Sequence, residues 1–369
     1  MQIRTLHIMN YKNLRSIALE LHPRFNFIVG ENGMGKTNFL DALYYTAVGR
    51  SYFNATGQRE LILEGENFLR IQLELQHKEK SQTLVIKMPL DGKREIVKNG
   101  STIERIGAHV GFLPVVFVTP DDGFILLSGS TERRRWMNRT LSMESSEYFL
   151  SLKNYNKLLK QRNALLRSAP FGADLSQLLS TYDEQMERYA TVLFHTRSNF
   201  IEQLNPLVRK YYETISEGKE TIEIGYASQL DGALYVEIAK QAYAQDLNYR
   251  RTTVGPHKDD LIIKISGKKM KRYASQGQLK SFVLALKLAE YHFLKLNTGK
   301  SPLLLIDDIF AKLDGHRVRA LLEFLLRDLQ GQVFITDTDL DRMKKIVPEV
   351  GMPYSAFEMN DGDLKVLED

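Results

Sequence analysis

Apolar and polar positions alternate with period two over Ile3–Ile8, Ile17–Leu21, Leu69–Leu75 and Leu84–Met88, which predicts strands exposed on one face. Asp91-Gly92 and Asn99-Gly100 are hairpin-turn dipeptides, so the first hundred residues read as an antiparallel sheet beside a further strand carrying Phe25, Phe27 and Val29. From about Thr131 to Ser216 the period becomes helical. Phe149, Leu152, Leu159 and Leu166 share one face, and Leu178, Tyr182, Met186, Tyr189, Leu193, Phe200 and Leu204 share another. Ser168, Pro170 and Gly172 predict a tight connection between the two helices, and Pro206 predicts a bend or an interruption in the second. Thr221–Tyr226 reads as a strand, followed by a helical run to Asp246. Strand-like Leu261–Ile265, Pro302–Ile306 and Val333–Thr336 then alternate with helix-like Gly277–Leu296 and Val318–Leu329. The expected architecture is an α/β head built from both ends of the chain, residues 1–129 and 246–369, with an α-helical arm at 130–245 inserted between them.

Composition narrows the class of protein. With 43% hydrophobic and 26% charged residues in 369, the chain is of globular type and long enough for more than one core. The absence of cysteine excludes disulfides and thiolate metal sites. Neither a leader-like start nor an apolar run of membrane-spanning length is present, which leads to the expectation of a cytoplasmic protein without a membrane partner. A formal charge of +5 permits a polyanionic partner without requiring one.

Candidate chemistry begins at Gly30-Glu31-Asn32-Gly33-Met34-Gly35-Lys36-Thr37, set between the Phe25–Val29 strand and a helix-like run from Asn38. This is a P-loop in its required context. Glycines let backbone N–H groups converge on a phosphate chain, and the helix that follows adds its positive N-terminal end. Lys36 is expected on the outer phosphates of ATP, and Thr37 on the bridging Mg²⁺.

Leu303–Ile306 runs into Asp307-Asp308. A buried strand ending in carboxylates suits a P-loop ATPase, with Asp307 ordering the metal and Asp308 polarising the attacking water. Thr336, ending the next apolar strand, is a candidate sensor of the γ-phosphate. Ser275-Gln276-Gly277-Gln278 opens the Leu279–Leu296 helix, where hydroxyl, N–H groups and helix dipole make a second anion site. Ala311-Lys312-Leu313-Asp314 follows the acid pair.

In this order the motifs resemble ATP-binding-cassette ATPases of the SMC-like branch, and within it the RecF family. Three further stretches carry that likeness: Asn10-Tyr11-Lys12-Asn13; Tyr155 with Leu158 to Asn163; and Arg251-Thr252-Thr253-Val254-Gly255-Pro256-His257-Lys258-Asp259-Asp260. The resemblance covers Ile3 to about Thr338. It implies a bacterial, cytoplasmic, nucleoid-associated ATPase of weak, DNA-stimulated activity. ATP would drive head-to-tail homodimerisation on double-stranded DNA and at single/double-strand junctions, and RecR and RecO would be partners in recombinational repair, replication and the response to DNA damage. The serine motif of one subunit would then cap the phosphate held by the other. Two departures stand out. Val115–Val118 precedes Thr119-Pro120 with no coupling glutamine, for which Asp121 or Asp122 is the expected substitute, and the second acid is the shorter Asp308. Slow hydrolysis is therefore expected.

For DNA, Lys153, Lys157 and Lys160 at i, i+4 and i+7 form a basic stripe, with Arg133 and Arg134 just before that helix and Lys268, Lys269, Lys271 and Arg272 as another basic run. Trp136 is expected in packing, and His257 in positioning a loop near the nucleotide. A non-DNA ATPase switch and a transporter-associated ATPase are the alternative functions.

Overall fold

The computed structural model describes residues 1–53, 57–77, 79–104, 106–170, 173–216, 220–308, 315–351 and 353–367. The chain divides into two compact units, one of Met1–Asp121 with Leu294–Asp369, the other of Asp122–Phe293.

The first unit holds two six-stranded sheets. One is antiparallel, in the order Leu14–Glu20, Gln2–Tyr11, Phe68–His77, Lys80–Pro89, Glu95–Lys98, Ser101–Thr102. Its register aligns Leu19, Leu6, Leu73 and Leu84 in one cross-strand row and Ile17, Ile8, Ile71, Ile86 and Ile96 in the next. These rows are buried, which is why the alternation was visible in the sequence. Asn99 and Gly100 both take positive φ, 48° and 80°, as their two-residue hairpin turn requires.

The other sheet runs Asp363–Leu367, Tyr354–Asn360, Phe25–Val29, Val333–Asp337, Leu303–Ile306, Val115–Val118, parallel throughout except for its first pair. Its four strands from Phe25–Val29 to Val115–Val118 are buried at every position, so they are apolar on both faces apart from the buried Asn26, Thr336 and Asp337. Pairing of Ile306 with Ile335 and of Thr336 with Ile28 brings the carboxyl ends of three strands level, and the P-loop, Asp307 and Thr336 emerge there together.

The second unit contains the helices Ser130–Glu144, Ser146–Ser168, Ser176–Ser216, Tyr235–Gln241 and Tyr243–Tyr249 and most of Gln276–Thr298. A three-stranded sheet, Lys268–Lys269, Asp260–Ile265, Ile222–Ala227, belongs with them. The inserted unit is therefore larger than 130–245, because side chains distant in sequence tie residues 246–293 to the helices. Arg197 meets Asp259, Arg133 meets Asp260, and Trp136 meets Glu290.

Two helix readings change. Ser146–Ser168 buries Tyr148, Ser151, Tyr155, Arg162 and Leu166, one step round from the predicted face, leaving Phe149, Leu152 and Leu159 half-buried. Ser176–Ser216 buries Asp183, Ala190 and Arg197 along with Met186, Leu193, Phe200 and Leu204, while Leu178 is 55% exposed. The buried stripe contains charges, so apolar periodicity points slightly wide of it. Pro206 lies inside an uninterrupted helix. Gly172 and Ala311 to Asp314 lie outside the described residues.

Candidate nucleotide site

Gly30, Gly33 and Gly35 hold φ of 153°, 84° and 115°, conformations that curl the P-loop and that side chains rarely adopt. The helix Lys36–Val48 starts at Gly35 without a side-chain cap, so its first-turn N–H groups have no side-chain acceptor and face the loop. Glu31, Asn32 and Gly33 are exposed along that loop. Lys36 is 6% exposed, and its ammonium donates to the carbonyls of Gly30 at 2.6 Å and Glu31 at 2.7 Å. Burial pulls its pKa below the ordinary lysine value, and Asp308, Asp307 and Asp337 oppose that shift. The lysine is thus folded back over its own loop within the field of three carboxylates.

Asp307 sits at the centre of the cluster. Thr37 Oγ1 donates to it at 2.8 Å and Thr336 Oγ1 at 2.8 Å, while the Asp308 N–H donates to Thr336 Oγ1 at 2.9 Å. Burial pushes the Asp307 carboxyl above its usual range and Asp308 adds to the shift; Thr336, Thr37 and Lys36 oppose it. Asp308 has a φ of 43°, a left-handed turn out of the strand. A buried carboxylate beside a hydroxyl, destabilised as an anion, is a donor set that suits a hard divalent cation.

The support of this cluster escaped the sequence reading. Asp41, fully buried on the P-loop helix, accepts from Tyr11 Oη at 2.8 Å, Lys12 Nζ at 2.6 Å, Ser51 Oγ at 2.7 Å and the Tyr52 N–H at 2.8 Å. The stretch Asn10-Tyr11-Lys12-Asn13 therefore braces the helix that carries Lys36 and Thr37. Asp337 accepts from the Thr338 and Asp339 N–H groups and from Arg342, fixing the chain just beyond Thr336.

In the other unit, Ser275 and Gln278 form a reciprocal capping box: the Gln278 N–H donates to Ser275 Oγ at 3.2 Å and the Ser275 N–H to Gln278 Oε1 at 2.6 Å. Gln278 also donates to Glu220. Ser275, Gln276 and Gly277 are exposed. Asp122 is buried and paired at 3.2 Å with Lys287 of the same helix, so its carboxylate is already engaged as a helix anchor.

Lys153, Lys157 and Lys160 are exposed, opposite the buried Tyr155 and Arg162. Lys268, Lys269, Lys271 and Arg272 are exposed as well. Arg133 is not available to DNA. It is 8% exposed, grips both carboxylate oxygens of Asp260 at 2.6 and 2.9 Å, and donates to the Ser128 carbonyl at 3.0 Å. Arg134 is half-buried and donates to the Asp259 carbonyl at 2.6 Å.

The stretch Gly255-Pro256-His257-Lys258-Asp259-Asp260 helps tie its unit together. A Cβ at Gly255 would lie 2.7 Å from Tyr155 Oη; the Pro256 carbonyl and Asp259 accept from the buried Arg197; His257 bridges Tyr155 and Thr252; Asp260 holds Arg133. Arg162, fully buried, similarly joins Asp183, Asp246 and Thr252. Trp136 is 1% exposed and donates to Glu290, a packing position. No helix among the described residues is long and apolar enough to cross a membrane.

The chain matches known proteins over nearly its whole length. Residues 2–356 match the model of the RecF/RecN/SMC N terminal domain. The chain is 36% identical to the DNA replication and repair protein RecF of Phocaeicola vulgatus, covering 99% of this chain and 98% of that one, and 35% identical to that of Flavobacterium johnsoniae, covering 97% and 100%. Among solved structures, the recombination mediator protein RecF-ATPrS in the RecFOR pathway superimposes with a TM-score of 0.90 at 28% identity, over 99% of this chain and 98% of that one. An Smc head bound to the C-winged helix domain of ScpA aligns with a TM-score of 0.59 at 16% identity, over 100% and 97%, a likeness of fold. With a family model spanning nearly its whole length and relatives matched from end to end, the chain belongs to the RecF/RecN/SMC family, in its RecF branch of DNA replication and repair proteins.

Proposed function

We propose that this protein is an ATP-gated clamp on double-stranded DNA, in which ATP joins two copies head to tail and slow hydrolysis releases them. One observation carries the reading: in one unit Thr37 and Thr336 both donate to Asp307 while Lys36 lies folded over the P-loop, and the helix start at Ser275 is exposed in the other. The solved relatives RecF-ATP and RecF-ATPrS support the choice of nucleotide. Mg²⁺, held by Thr37 and Asp307, would supply charge neutralisation at the phosphates.

Lys36 then leaves the Gly30 and Glu31 carbonyls for the outer phosphates. Thr336 orients Asp307, and Asp308 accepts a proton from the attacking water. Its short side chain on a backbone tied to Thr336 gives it little reach, which favours slow turnover and a timer over a motor. Ser275 of a second copy completes the phosphate site. Lys153, Lys157 and Lys160 track the DNA backbone without reading sequence. The proposed place of action is gapped DNA in the bacterial cytoplasm, with RecO and RecR as partners in loading recombinase; the RecFOR pathway named for a solved relative supports this.

Sedimentation with ATP and duplex DNA tests the central claim. Lys36→Met should remove both ATP binding and dimerisation. Ser275→Arg should remove dimerisation while the monomer still binds ATP. An ATP-dependent dimer of normal strength in the Ser275→Arg protein would refute the shared site.

A further inference from the structure

The end of the chain reaches back to the P-loop. Strands Tyr354–Asn360 and Asp363–Leu367 turn through Asp361 and Gly362, with φ of 45° and 80°. The Gly362 N–H donates to the Met34 carbonyl at 2.9 Å, and the Asp361 N–H lies 3.4 Å from Met34 Sδ. From the other end of the chain, Asn13 Nδ2 donates to the same carbonyl at 3.4 Å, while Asn38 Nδ2 donates to Asn13 Oδ1 at 2.7 Å and holds that side chain in place. Three glycines make this approach possible. A Cβ at Gly362 would overlap the Asn13 carbonyl, one at Gly30 would overlap the Met359 carbonyl, and one at Gly35 would stand 2.8 Å from Asn13 Nδ2.

A trans peptide points its C=O and N–H in opposite directions. Fixing the Met34 carbonyl toward Asn13 and Gly362 therefore turns the Gly35 N–H away from both. We propose that the C-terminal hairpin turn is a positioning element of the nucleotide site: Gly362, with Asn13, orients the Met34–Gly35 peptide so that the Gly35 N–H is set for a phosphate before ATP arrives. This rests on the nucleotide-binding reading above. It gives the hairpin turn a part in ATP binding through a backbone N–H. The benefit is preorganisation, since a loop already in its binding conformation loses less freedom when the ligand enters.

The cleanest perturbation is glycolic acid at position 362, introduced by in vitro translation, which replaces the donating N–H with an ester oxygen and adds no bulk. Gly362→Ala is the harsher companion, adding both strain and overlap. Binding of a fluorescent ATP analogue to nucleotide-free monomer is measured together with the ¹⁵N-glycine spectrum. Wild type should show a large ATP-induced shift of the Gly35 amide. The ester variant should keep its circular dichroism and its melting temperature within a few degrees, bind ATP roughly tenfold more weakly, and show a diminished Gly35 shift. Should Gly362→Ala fail to fold, the ester variant still decides the matter. Wild-type affinity and an unchanged Gly35 shift in the ester variant would overturn the positioning role and leave the nucleotide reading standing. Absence of ATP binding by wild type would overturn both.

Discussion

Replacing His257 with asparagine should flatten the acid sensitivity of the inserted unit by an amount the structure sets. His257 Nε2 lies 3.1 Å from the Thr252 carbonyl and Nδ1 lies 2.8 Å from Tyr155 Oη. A carbonyl only accepts, so Nε2 carries the proton and Nδ1 accepts from the tyrosine; the ring is neutral. Burial pushes its pKa down to about 4, Lys258 and Arg134 add to this, and the hydrogen bond to Thr252 opposes it. The sign follows from linkage. The unfolded chain takes up the proton near pH 6.5 and the folded one near 4, so the stability present above the unfolded pKa is lost as pH falls toward the folded one. Between about pH 7.5 and pH 5 this amounts to about 2 kcal/mol. Trp136, the single tryptophan, is buried in the same unit and reports its unfolding in urea by fluorescence. His257→Asn retains an acceptor for Tyr155 but cannot titrate. At about pH 7.5 it should be about 1–3 kcal/mol less stable for the lost donor to Thr252. Its further loss on acidification should be about 2 kcal/mol smaller than that of wild type. Equal losses in the two proteins would refute the neutral, buried imidazole.

Two further predictions concern the head and the DNA. Asp307→Asn removes a carboxylate whose charged form burial disfavours, so the nucleotide-free protein should melt at a higher temperature. The stabilisation by Mg²⁺·ATP should be lost, with affinity for the metal-bound nucleotide falling roughly 10–100-fold or more; melting with and without Mg²⁺·ATP checks both, and a lower melting temperature without nucleotide would contradict the account. Changing Lys153, Lys157 and Lys160 together to glutamine should reduce the slope of log affinity against log salt by up to roughly 2.7, about 0.9 per phosphate contact, measured by fluorescence anisotropy on duplex DNA; an unaltered slope would remove this helix from the interface.

What was legible in the sequence was local. The P-loop and the Asp307-Asp308 pair appear as short strings because their chemistry needs those residue types in succession, and the antiparallel sheet appears because one face of each strand is dry. The faces of the two long helices were misjudged because Arg162, Asp183 and Arg197 are buried through partners far away in sequence, and a charged residue counts as solvent-facing until its partner is known. Arg133 misled in the same way. Asp41 gave no signal because its four donors come from segments on either side of it, and Gly362 gave none because it acts through its backbone. The domain boundary moved to Phe293 for the reason that moved the helix faces: long-range side-chain pairs decide which segments cohere.

The strand that leads into the P-loop, Phe25–Val29, pairs with Val333–Asp337 on one side and Tyr354–Asn360 on the other. Both neighbours are made some three hundred residues later, so at ordinary rates of synthesis the strand waits roughly 15–60 s on the ribosome without a β-partner. Five consecutive buried residues, among them two phenylalanines, lack their sheet neighbours for that interval. Biogenesis of this head thus includes a period in which the strand that leads into the P-loop is open to chaperones or to a neighbouring nascent chain, and the phosphate site comes into being only after Val333–Asp337 has been made.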